Sequence, residues 1–104
     1  MWDATAALSG FDALVTQIGT LAAAFRKPVL ILEGDSHRFK VDNPFSANPA
    51  NAAAHALHPS TPVAENVIRI VVEGSDGRTE YVRLTIEPKS KDGSLFSWER
   101  VPLN

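Results

Sequence analysis

The chain has no cysteine, which excludes disulfides, iron–sulfur clusters and thiolate zinc sites. Any metal it holds needs imidazole and carboxylate ligands. It also lacks an apolar stretch near the ~20 residues of a membrane-spanning helix. No basic segment leads into an apolar one at the N-terminus, so no signal peptide is read there, and localisation stays open. Clustered positive charge is missing too. The 10 basic residues are scattered, no run exceeds Arg26–Lys27, and 12 acidic residues bring the net charge to −2. A nucleic-acid surface needs Lys and Arg gathered on one face, so neither nucleic acid nor membrane is an expected partner. Aromatic residues are few, and Trp2, Tyr81, Phe96 and Trp98 read as packing residues rather than ligand-stacking ones.

What is present is an ordinary globular composition, and 104 residues allow one modest domain, 1–104. Three parts are expected: a helix–strand–motif unit over 1–41, a loop over 42–65 and a β-meander over 66–104. Ser9–Asp12 is a weak helix-start signal. Behind it Phe11, Leu14, Val15, Ile18, Leu21, Ala22 and Phe25 recur at three- and four-residue spacing, predicting a helix over Gly10–Arg26. Arg26 and Lys27 are expected in its last turn, and Pro28 stops it. Gly19 weakens the helix and signals a close approach of another segment. Val29–Glu33 is a continuous apolar run, expected to be a strand covered on both faces, with a short extended piece after it at Arg38–Val41. Between Asp42 and Pro62 the chain carries Pro44, Pro49, Pro59 and Ala52–Ala54, and reads as a long loop with one helical turn near Ala50–Leu57. Val67–Val72, Glu80–Glu87 and Leu95–Val101 then predict a three-stranded antiparallel meander, turning at Gly74–Gly77 and at Pro88–Gly93.

Chemistry concentrates where the apolar run ends, at Gly34-Asp35-Ser36-His37. A carboxylate and an imidazole two residues apart, at the carboxyl end of a strand, form a common start for a metal or phosphate site. The plainer alternative is a turn in which Asp35 accepts backbone N–H bonds and His37 is solvated. Asp42 lies five residues after His37 and is a further candidate ligand, although Asp42-Asn43-Pro44 is also an ordinary turn. His55 and His58, three apart, would share one helical face. With His37 they would make a three-imidazole set suited to zinc, copper or nickel. Ser36 and His37 point to opposite sides of an extended chain, so they do not form a nucleophile–base pair.

Three stretches in order, Lys27–His37 (KPVLILEGDSH) with Phe39 and Asp42–Pro44, Asn66–Gly74 (NVIRIVVEG) and Leu95–Pro102 (LFSWERVP), resemble the C-terminal portion of bacterial calcineurin-like metallophosphoesterases. Met1-Trp2-Asp3 resembles an internal piece of one branch of that family. The resemblance implies half of a two-sheet α/β sandwich, hence an α/β (α+β) fold. It places Gly34–His37 at the family's last metal motif, with His37 a ligand and Asp35 standing where the family usually has histidine. It implies a divalent metal (Zn, Mn, Fe or Ni) and phosphoester hydrolysis. The family's other motifs, Asp-x-His and Gly-Asn-His, are missing here, and a two-metal mechanism needs both metals fixed ~3.5–4 Å apart. Hydrolysis is therefore expected only in an oligomer, with His55 or His58 as supplementary ligand or acid. The alternative is a non-catalytic homodimeric module that binds metal or a partner, and a third reading is a fragment of a longer gene. A sheet with exposed apolar surface and open edges favours a homo-oligomer, with a dimer expected.

Overall fold

The structure, a computed structural model, describes residues 9–34, 37–48, 61–74, 79–89 and 95–103; of residues 9–11 it describes the backbone alone. The helix α1 runs Ser9–Phe25. Five strands follow: β1 Val29–Glu33, β2 Lys40–Asp42, β3 Val67–Val71, β4 Glu80–Ile86 and β5 Phe96–Pro102. They form a small α+β arrangement of one N-terminal helix, a mixed three-stranded sheet in the order β1-β3-β2, and a separate antiparallel hairpin of β4 and β5. In the first sheet β1 runs parallel to β3, with Val29 beside Val67, and β2 runs antiparallel to it, with Asp42 beside Arg69. No described helix is long and apolar enough to cross a membrane.

The expected three-stranded meander is corrected by this topology. β4 and β5 pair as anticipated, from Glu80–Pro102 to Ile86–Phe96, but β3 belongs to the other sheet. Its side chains explain why. Val67, Ile70 and Val71 are almost wholly buried and lie on both faces of the strand, so β3 needs neighbours on both sides and receives them from β1 and β2. The complementary correction concerns β1, which is an edge strand, with Leu32 56% exposed rather than covered.

Val15, Ala22, Phe45, Ala64 and Val67 form the core, with Ile18, Ala23, Val29 and Ile31 packed against it. The buried stripe of α1 is narrower than its apolar periodicity suggested, since Leu14, Leu21 and Phe25 are about half exposed. Gly19 does permit a close approach. A Cβ there would lie 2.9 Å from the Phe45 ring and from Thr61 Cγ2. The helix ends one residue before the expected Arg26, which instead takes a left-handed conformation (φ 64°) and donates its N–H to the Ala22 carbonyl at 3.2 Å. Asn66 secures this end, its Nδ2 donating to the carbonyls of Ala22 and Lys27.

The two described arms of the long loop are sewn together. Asn43 Nδ2 donates to the Ala64 carbonyl, and the Ala64 N–H donates to the Phe45 carbonyl. Glu65 accepts from the Ser46 hydroxyl and the Ala47 N–H, both at 2.8 Å. This closure drives Phe45 into the core. The helical turn expected near Ala50–Leu57 lies outside the described residues. The hairpin is tied to the first sheet through Arg100, whose guanidinium sits 4.3 Å over the Phe39 ring and pairs with Glu80 and Glu73.

Candidate functional site

The carboxyl ends of the parallel strands β1 and β3 lead into two turns that meet. The Val72 N–H donates to the Glu33 carbonyl and continues the ladder past the end of β3. His37 then adopts a left-handed conformation (φ 61°), which histidine tolerates better than most residues. Its N–H donates to the Gly34 carbonyl at 3.3 Å, and its carbonyl accepts from the Gly74 N–H at 2.9 Å. Gly74 is required by this contact, because a Cβ on it would fall 2.5 Å from His37 Cβ. The His37 side chain is exposed. Just beyond, the Phe39 N–H donates to the Glu73 carboxylate at 2.9 Å, which pins the chain as it enters β2.

Asp42, the further candidate ligand, is engaged by a buried cation. It accepts from Arg69 Nε at 2.7 Å and Nη2 at 2.6 Å, a bidentate pair, and Lys40 Nζ lies 3.6 Å away. Glu33 accepts from Arg69 Nη1 at 2.7 Å. Arg69 is wholly buried in the central strand, so its charge is tolerated because carboxylates from both neighbouring strands reach it. Burial opposes the charge, but the hydrogen bonds and charge of Asp42, and then of Glu33, outweigh it and hold the guanidinium above its ordinary value. The signal for this network was in the sequence: an arginine inside the apolar run Val67–Val72, with a glutamate closing the other apolar run.

Asp35, His55 and His58 lie outside the described residues. Among the described residues no group of three His, Cys, Asp or Glu side chains is placed to hold a metal ion. The described side chains therefore do not fit a complete metal centre; they present one exposed imidazole on a braced turn. No family model matches the chain, and no curated protein or solved structure matches it either.

Proposed function

We propose that the chain is metallophosphoesterase-like and that His37, together with Asp35, supplies metal ligands toward phosphoester chemistry. The observation supporting this reading is the placement of the His37 turn, braced by Gly34 and Gly74 at the carboxyl ends of two parallel strands. Ligands collect at such positions in open α/β sheets. The missing ligands must come from other protein segments or another chain. The test is elemental analysis of untagged protein, wild type beside His37→Ala, after loading with Zn, Mn, Fe or Ni. The reading expects metal in the wild type and its loss in the variant, followed by chelator-sensitive turnover of a phosphoester. Equal metal content in both proteins, or none in either, defeats it.

A second reading, a non-catalytic homodimeric module, is favoured by the commitment of both Glu33 and Asp42 to Arg69. It predicts a defined dimer, with or without metal, and no turnover under any loading.

A further inference from the structure

β1 stands at the end of the sheet order, so one of its sides has no strand beside it among the described residues. Val29 donates to Asn66, and Glu33 accepts from Val72. Residues 29, 31 and 33 thus turn their backbone groups toward β3, and the alternation of a parallel ladder turns those of Leu30 and Leu32 outward. Apolar surface flanks this edge on both faces. On the helix side an open groove of about 370 Å³ is lined by Ile18, Leu21, Ala22, Phe25 and Val29. On the other face Leu32 is 56% exposed. Outward ladder groups between two apolar surfaces are a template for another strand.

We propose that the strand added here is β1 of a second copy, laid antiparallel about a two-fold axis through Ile31. The proposal deepens the homodimer reading above and does not depend on whether His37 binds metal. In this register Leu30 faces the partner's Leu32, and the two exchange both N–H···O bonds, while Ile31 meets its own counterpart. The segment from Pro28 to Leu32 carries no charge, so no like charges are forced together. Lys27 stands diagonal to the partner's Glu33, at the ~7–8 Å of such neighbours, and the axis repeats this opposite-sign contact. Leu21 and Phe25 of both helices flank the same junction and would be covered by it. The arrangement also has a consequence for the histidines. Glu33 would lie opposite the partner's Val29, so the carboxyl ends of the two β1 strands would be separated by ~13 Å along the ladder. The His37 turns lie beyond those ends and cannot share a two-metal centre of ~4 Å.

The test is the mass of the full chain in solution by light scattering, together with a directed cross-link. The wild type should be a dimer. Leu32→Lys, at a position exposed in the single chain, should keep its circular dichroism while its mass halves. Ile31→Cys should give a disulfide-linked dimer on oxidation, because Cα atoms ~4.5 Å apart in a non-hydrogen-bonded antiparallel pair suit a disulfide and the chain has no other cysteine. Val41→Cys, on the opposite edge, should not cross-link. A monomeric wild type, a dimer that survives Leu32→Lys, or cross-linking at Val41 instead of Ile31 would each overturn the proposal. Metal content is measured on separate samples, so the fate of the His37 reading does not enter these outcomes.

Discussion

Replacing Arg69 by methionine should be the most damaging single substitution among the charged residues described. The side chain is fully buried, and it neutralises Glu33 and Asp42, whose side chains are only 11% and 16% exposed. Arg69→Met would leave two nearly buried carboxylates without their buried cation, with only the half-exposed Lys40 still near Asp42. Removing one partner of a buried ion pair costs about 3–5 kcal/mol. A chain of this length has a total stability of roughly 5–15 kcal/mol, so at least about a fifth of it is at stake. The assay is urea unfolding followed by far-ultraviolet circular dichroism, at fixed protein concentration so that self-association does not enter the comparison. Arg83→Met is the control. Its pair with Glu99 is more than half exposed on both sides, and exposed pairs are worth ~0–1 kcal/mol. The triple change Arg69→Met, Glu33→Leu, Asp42→Leu removes all three charges and should recover most of the loss. Because the guanidinium is held above its ordinary value, its stabilisation is present below that value and lost only as pH rises past it. The Arg69→Met deficit should therefore not arise from arginine titration between about pH 5 and 9. A loss below about 1 kcal/mol for Arg69→Met, or a triple variant no better than the single one, would refute this account of the network.

Gly19→Ala sets a helix gain of about 1 kcal/mol against a Cβ 2.9 Å from Phe45, which is wholly buried and cannot yield. Overpacking costs about 1–3 kcal/mol, so the urea midpoint should fall; a rise would show that Phe45 can move. Glu65 is held below its usual range by the Ala47 N–H and then the Ser46 hydroxyl. A lowered carboxylate pKa stabilises above the unfolded value and loses that contribution as pH falls through the folded one. The gap between wild type and Glu65→Gln should accordingly narrow from about pH 6 to about pH 3, and a constant gap would count against the clamp. Gly74→Ala would place a methyl against His37 Cβ and backbone, so it should unseat the His37 turn. Amide exchange at Gly74 should accelerate, and any metal held by His37 should be held more weakly. Unchanged exchange would mean that the turn tolerates the methyl.

The local elements were legible because each follows from a short repeat. The spacing of Val15, Ile18 and Ala22 places α1 within one residue of its observed ends, and the alternation of Val82 and Leu84 places β4. Which strands lie side by side is a different question. Val29–Glu33 and Val67–Val71 are both short apolar runs, and periodicity assigns faces without assigning neighbours. Burial on both faces belongs to β3, while β1 is the edge. Pro28, immediately before β1, is compatible with an edge strand but does not distinguish the two runs, since proline is tolerated at the start of any strand. A turn signal at Gly74–Gly77 suggested a hairpin from β3, but a local turn cannot outweigh a central strand's need for partners on both sides.

At the site, the position of the His37 turn followed from an apolar run ending in glycine, whereas its bracing did not, because Gly74 is distant in sequence. The fate of Asp42 illustrates a more general point about counting ligands. Acidic residues near a histidine are available to a metal only if no buried cation claims them first. Arg69 is wholly buried between Ile68 and Ile70 in the central strand, and a guanidinium there needs anionic partners. That demand is met by Glu33 at the end of β1 and Asp42 in β2, while Glu73, also beside the turn, accepts from the Phe39 N–H and pairs with Arg100. Glu33 and Asp42 could reach a metal near this turn only in competition with Arg69, whereas His37 presents an exposed imidazole there. On the proposed reading, His37→Ala should remove most of the bound metal, and the metal that remains would measure what Asp35, His55 or His58 contribute.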